Sequence, residues 1–520
     1  MGGDAATEER PSFSNAFGFG ALSFLVSGVL ALGSSILTAR IYGITVIGEF
    51  ALAYAPTGAV WFLSSVREQP ALIRLLAPLP VRSPRVTGLF LPVFIFSTGL
   101  TLVACGIATG ATYLLFNGPI GHPELFAPAV VSLAGYLLFT NPCWNIDGVL
   151  CAFRAGRDLF WIRSHQMAAY LAMAAAASFF LPTVWGPILA TVGSWITSLV
   201  HRLLVAPRWM RWSVPTAEIR SGFRALPEIL RFGLKVTPGS LATGISDQVG
   251  TWVLGAVGSL AAVGAWNRAW ALSQRFVELN YRIAEMVFPT LVERHVGKDR
   301  LGFDRALMDS LRYVAAAMLL PAAAGGGAAT GIMELFGPGF GRASTALALV
   351  LVIPAIATIS TIQLDALLAV GRPLATTALS CARLAATVPL TVVLTLSMGV
   401  TGAALGVTLG VGLQLAIQLG VLRAHLSQPL RTLWPARQLV ALIIAYACGF
   451  ALARFVDSAI PGVAGLLASL AGGALAYALC LFGVGGLLPR DRERASAAIR
   501  RVAPGSRWAA RAAPRPQPST

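Results

Sequence analysis

The chain has 520 residues, 56% of them hydrophobic and only 12% charged, and its mean hydropathy is +0.72. A soluble protein carries about 25% charged residues, so a water-soluble enzyme or binding module is excluded. The net charge of +17 then has to be read from where the basic residues sit around a bilayer.

A polar N-terminal tail, residues 1–16, lacks the pattern of a cleaved signal peptide. Beyond it, apolar runs predict an all-α polytopic membrane protein of about fourteen transmembrane helices. The spans fall at 17–40, 46–66, 88–116, 126–152, 160–181, 185–206, 229–257, 261–292, 312–336, 343–369, 374–397, 401–423, 434–456 and 462–487. With both termini in the cytoplasm, 31 of the 39 Lys and Arg residues flank spans on that side, the outer loops hold only Arg40, Arg342 and Arg454, and Lys235, Arg268, Arg275, Arg282 and Arg383 lie within spans. The reverse orientation would invert this bias, so the positive-inside rule sets the topology in the cell (cytoplasmic or inner) membrane.

No loop is long enough to fold as a domain, and the largest, 207–228, reads as a basic cytoplasmic connector. The tail at 488–520 is rich in Arg, Pro and Ala and is predicted to be disordered. It suits anionic membrane lipids and not nucleic acid. A non-transporting scaffold that recruits partners through this tail is a separate reading.

An internal repeat is visible. Gly48 opens the second span and Gly264 the eighth, while Gly186 and Gly402 open the sixth and twelfth at matching intervals. Asp147 and Arg154 near the end of span four are echoed by Asp365 and Arg372 near the end of span ten. This predicts two six-helix lobes, 17–206 and 229–424, followed by a further helix pair at 434–487. Six spans return the chain to its starting side, so the lobes are parallel repeats about an axis along the membrane normal.

Span eight departs from the apolar rule. It carries Arg268, Arg275, Glu278, Arg282 and Glu285, which share one face at about 100° per residue. A charge at mid-bilayer costs at least ~2.5–3.5 kcal/mol, so the stripe faces protein or a water-filled cavity. The four lower residues are spaced to pair within the helix. Arg268 has no carboxylate three or four positions away, and one reading pairs it with Asp247 across the short GAVGSL turn. Asp247, Asp147 and Asp365 are coupling sites for Na+ or H+ or members of fixed ion pairs, Asp147 with Arg154 and Asp365 with Arg372. Arg67 and Arg74 end span two, where an ordinary basic flank is the simpler reading.

The six cysteines lie in or near apolar runs without paired spacing and read as buried and inert. The five histidines are scattered, which argues against a metal site. No phosphate-binding loop, dinucleotide fingerprint or nucleophile elbow occurs. No cofactor is implied, and neither catalysis nor ATP hydrolysis by this chain is supported.

The segment Ala39-Arg40-Ile41-Tyr42-Gly43, followed by Val46-Ile47-Gly48-Glu49-Phe50, resembles a junction of the Wzx-like polysaccharide flippases. These belong to the multidrug/oligosaccharidyl-lipid/polysaccharide (MOP) exporter superfamily. Gly264-Ala265-Trp266-Asn267-Arg268-Ala269-Trp270, Val287-Phe288-Pro289-Thr290-Leu291, Gly371-Arg372-Pro373 and Gly399-Val400-Thr401-Gly402-Ala403-Ala404 resemble further segments of that family in the same order. Ile44 departs from the pattern, where the family usually has proline. The resemblance implies two six-helix lobes around a central cavity with 434–487 as an accessory helix pair, and alternating access that moves an isoprenoid-linked oligosaccharide to the outer leaflet, alongside other polysaccharide-assembly proteins. Arg268, Asn267, Arg275, Arg282 and Arg67 are then candidate contacts for the substrate's diphosphate, which a guanidinium binds bidentately. A multidrug or organic-cation antiporter of the same superfamily is the alternative, and a membrane glycosyltransferase or polymerase is an alternative of another class.

Overall fold

A computed structural model describes residues 13–64, 72–73, 75–429 and 434–484, with the side chains of 13–25, 62–64, 228–229, 231–236, 278–286 and 289 outside that description. Among the described residues there is no strand.

Helix α1 (Phe13–Ser64) holds the first two predicted spans in one run, broken only at Gly43, whose φ of 77° and ψ of 169° are open to glycine but strained for other residues. Helix α2 (Pro84–Asn117) follows. Then α3 (Phe126–Gly135) and α4 (Asn141–Ala152) form one element joined by a π-helical turn at Tyr136–Thr140. The first half is completed by α5 (Gly156–Phe180) and α6 (Trp185–Val205).

The second half comprises α7 (Thr216–Val257), α8 (Leu260–Val296), α9 (Arg300–Gly327), α10 (Ala329–Glu334), α11 (Ser344–Val350), α12 (Ile353–Ala369) and α13 (Pro373–Arg423). Helices α14 (Ala436–Ala459) and α15 (Gly462–Gly483) end the described chain.

At 1.5 Å per residue the 51 residues of α13 would run about 77 Å if straight, more than twice the hydrocarbon thickness. Gly399, at φ 58° and ψ −131°, folds the run back on itself. Gly402, Gly406 and Gly410 of the second arm then lie directly against Leu394, Thr391 and Thr387 of the first. Small residues let the two backbones approach without a hydrophobic driving force from lipid.

Nine helical stretches among the described residues are long and apolar enough to cross a membrane, and the chain is a multi-pass membrane protein. Fourteen spans were predicted. Two of the nine, Val26–Trp61 and Pro373–Arg423, enclose the breaks at Gly43 and Gly399, while α5, α7 and α8 fall outside the nine. Apolarity alone therefore does not fix the count.

Each half has its own buried cluster, around Leu76, Phe90 and Phe153 in the first and Leu307, Leu311 and Ile362 in the second. A third cluster joins the halves through Ile47, Leu52, Trp266 and Phe336. Helices α14 and α15 pack antiparallel, with Gly449 against Gly473, and dock on α9 where Gly327 meets Ala453 and Phe450. Tyr477 Oη there donates to the Ala316 carbonyl at 2.7 Å.

The connector at 207–228 differs from the loop expected. It turns helical at Thr216, and Gly222 lies directly on the Gly88 carbonyl of α2. Thr87 Oγ1 donates to the Arg211 carbonyl at 2.6 Å. The segment is built into the bundle because apolar Ala225 and Leu226 alternate with its arginines and pack on the first core.

The helix ends form two faces. Gly43, Gly258, Gly339 and Gly399 mark one, the glycine face, and Arg82, Arg154, Arg208 and Lys298 mark the other, the basic face.

Candidate substrate-binding site

Helix α8 crosses α1 at the glycine face with almost no clearance. A Cβ on Gly264 would strike the Ile44 carbonyl oxygen, and one on Gly48 would strike that of Leu260. One turn deeper on the same face of α8 lies Arg268, only 5% exposed. Its Nη1 donates to Ser35 Oγ of α1 at 2.6 Å. Its Nε and Nη2 are buried and have no hydrogen-bond partner among the described residues. A guanidinium carries five N–H donors and accepts nothing. One neutral acceptor leaves this buried charge largely uncompensated.

The pairing of Arg268 with Asp247 is overturned. Asp247 of α7 instead accepts from Arg383 Nη2 of α13 at 2.5 Å. The reason lies in which face of α8 meets α7. Trp266 is fully buried, fills the space over Gly250 and donates from Nε1 to Thr251 Oγ1 at 3.2 Å. Trp270 stacks on it at 5.4 Å. With the tryptophans turned to α7, a residue two positions on is rotated by about 200° and points away. Arg268 therefore points at the opposite half.

Asp147 is also in an ion pair, though not with Arg154. Arg202 of α6 grips it with Nε at 2.7 Å and Nη2 at 2.9 Å, and also bonds the Ser198 hydroxyl and carbonyl. Arg154 lies beyond the end of α4 at φ 59° and is exposed, so the chain has turned before it could reach back. Asp365 is buried on α12. Asn267 is half-buried beside Arg268, and Arg275 is exposed two turns further along α8. The side chains of Glu278, Arg282 and Glu285, and the whole of Arg67 and Arg74, lie outside the described residues, so the proposed ladder is not placed.

Three partners escaped the sequence reading. Arg202 looked like part of a basic flank, and Ser35 is one hydroxyl among many. Arg383 did carry a signal, since a lone arginine inside an apolar span needs a carboxylate. A polar network in the first half was missed as well. Asn141 Oδ1 accepts from Ser97 at 3.0 Å and Thr101 at 3.2 Å, and Asn145 Nδ2 reaches Ser97 Oγ at 3.3 Å. It follows the π-turn before Pro142, where a bulge frees backbone and side chains to meet.

His165 and His201, distant in sequence, bring their Nδ1 atoms to 3.2 Å, which the scattered spacing concealed. No group of three or more His, Cys, Asp or Glu residues is placed to hold a metal among the described residues. None of the six cysteines is in a disulfide, and Cys381 and Cys448 are exposed where burial was expected.

A cavity of about 850 Å³ opens on the glycine face between Arg40, Gly43, Glu334, Gly339 and Arg342. Arg40 Nε spans the halves to the Leu335 carbonyl at 2.8 Å. Arg268 lies deeper, beyond the glycine crossing that closes this route.

These features have the fold of the MOP superfamily transporters. The chain is similar to the lipid II flippase MurJ in an inward closed conformation, with a TM-score of 0.64 and 14% identity over 88% of this chain and 97% of that one. It is also similar to a MOP superfamily transporter from Pyrococcus furiosus, at TM-score 0.55 and 16% identity over 80% and 96% of the two chains. An inward-facing multidrug resistance MATE transporter matches at 0.53 and 15%, over 80% and 94%. No protein-family profile and no curated protein matches the sequence. At such identities the likeness defines the fold alone.

Proposed function

We infer that the chain is a flippase that carries an isoprenoid-(di)phosphate-linked oligosaccharide from the cytoplasmic to the outer leaflet by alternating access, for cell-surface polysaccharide assembly. The observation that carries this reading is Arg268, a buried guanidinium at the junction of the halves with two nitrogens that have no partner among the described residues. A diphosphate supplies what it lacks, a pair of charge-assisted hydrogen bonds to a planar fork. In this reading Asn267, Arg275 and Arg282 extend the contact along α8, and Arg67 meets the headgroup on entry.

The basic face is the cytoplasmic one, with both termini there, and the glycine face is the outer one. The Arg-rich tail rests on anionic lipid. Arg202 and Arg383 already neutralise Asp147 and Asp247. In this reading Asp147, Asp247, Asp365, Glu278 and Glu285 are the candidates for coupling to Na+ or H+, the first two through ion pairs that open during transport.

A multidrug or organic-cation antiporter is the second reading, because MATE transporters share the fold. A buried cation at the junction of the halves repels cationic cargo, which favours the flippase.

The test is to delete the gene and identify by mass spectrometry the lipid-linked intermediate that accumulates. Complementation with Arg268→Ala is expected to leave that intermediate on the cytoplasmic leaflet at normal protein abundance. Normal surface polysaccharide in the variant would overturn the role of Arg268.

A further inference from the structure

We propose that the Arg268–Ser35 hydrogen bond is a latch between the two halves, and that an anionic headgroup releases it, so that substrate capture itself frees the outer gate. This rests on the flippase reading above and adds to it a mechanism for opening.

The gate has three layers. At the surface Arg40 bonds the Leu335 carbonyl at 2.8 Å. Below it Gly48 and Gly264 cross, each seated on the carbonyl of the residue four positions before the other, Leu260 and Ile44. Beneath the crossing Arg268 bonds Ser35 at 2.6 Å.

The crossing is reciprocal. The residue shift that carries Gly48 onto Gly264 also carries Ile44 onto Leu260, so the axis relating the repeats passes through it. Backbone against backbone, it is held by close packing without side-chain bonds. Such a seam parts readily once the directional bonds on either side are broken.

The same shift places Leu52 in the first half where the second half has Arg268. Both are buried, at 0% and 5%. Leu52 packs on Gly255 and bonds nothing, whereas Arg268 reaches across to the other half. The arginine is thus the departure from symmetry at the gate, and it carries the inner directional bond. The Ser35 hydroxyl is a single neutral acceptor, whereas a phosphate brings an opposite charge and two oxygens that the planar fork can bind bidentately. Nε and Nη2 are already free to receive a phosphate. An anion seated there outcompetes Ser35, and the guanidinium turns from the opposite half to the ligand.

The test uses the full chain in liposomes, with its six cysteines replaced by alanine and spin labels on Asn117→Cys and Val257→Cys, exposed outer positions of the two halves. Pulsed EPR reads the distance between them, and farnesyl diphosphate is the probe. Adding the probe is expected to raise a longer-distance population several-fold. Ser35→Ala is expected to show that population without probe, and Ser35→Asp, a charged latch, to suppress it with probe bound. Gly264→Val should hold the gate apart, and Ser35→Ala keeps the test open if that variant fails to fold. Arg268-dependent probe binding with unchanged distances in every variant would overturn the latch and leave the flippase reading standing. Absence of Arg268-dependent binding would overturn both.

Discussion

Arg202 and Arg268 are buried alike, at 4% and 5%, one in each half of the chain. Arg202 has a bidentate carboxylate and further bonds to Ser198, while Arg268 has one serine. The same side chain at the same burial thus does different work. A fully paired guanidinium is a structural joint, and an underpaired one is poised for a ligand. The joint belongs to the first half, because the shift of the glycine crossing carries Asp147 onto Gln363 and Arg202 onto Gln418, buried amides whose polar atoms bond no described residue.

The largest effect should come from breaking the joint on one side. Asp147→Ala leaves Arg202 buried and uncompensated, a loss of about 3–5 kcal/mol. Little folded protein should then be recovered from the membrane. The double variant Asp147→Leu/Arg202→Met removes both buried charges together and is expected to recover most of it, as quantified by fluorescence-detected size exclusion.

Arg268→Ala should do the reverse. With a charge-assisted bond worth about 1.5–3 kcal/mol, transport should fall by about 10- to 150-fold while abundance and melting temperature hold or rise. A parallel fall in abundance would place Arg268 with the structural joints.

Asp247→Asn keeps a hydrogen-bond acceptor for Arg383 but removes its counter-charge. It should cost about 1–3 kcal/mol, seen as a lower melting temperature with transport per folded molecule unchanged. Loss of transport at normal stability would instead make Asp247 a coupling site.

The smallest effect belongs to an exposed cap on the basic face. Asp299 accepts from the Gly302 backbone N–H at 2.8 Å and from Arg294 at 2.7 Å. These two contacts, the backbone one foremost, hold its carboxyl below the usual range. A depressed folded value means the cap is fully present at neutral pH and is lost only as pH falls through that value. Asp299→Ala should lower the melting temperature by no more than about 2 °C at neutral pH, and the difference from the parent should vanish in acid.

How much of this was legible in the sequence varied with the range of the interaction. The all-helical, multi-pass membrane class rests on composition and local periodicity, so it could be read directly, whereas the lower part of the charged stripe of α8 lies outside the described side chains. The glycine repeat could also be read, but its meaning could not. Gly48 and Gly264 looked like two independent span openings, and only the packed chain brings them into contact. Pairing failed for the same reason. Asp147 was matched to Arg154 and Arg268 to Asp247 by nearness along the chain, whereas the true partners lie on other helices.

The sequence by itself determined that the chain is helical and that it crosses a membrane many times. Each of these follows from composition and from the 3.6-residue period, which depend only on neighbours in the chain. The tertiary structure decided which arginine is satisfied and which is not. That depends on the rotation of α8 about its axis, set by Trp266 seated on Gly250 and by the glycine crossing on α1. Those contacts join residues far apart in the chain, where local pattern carries no information.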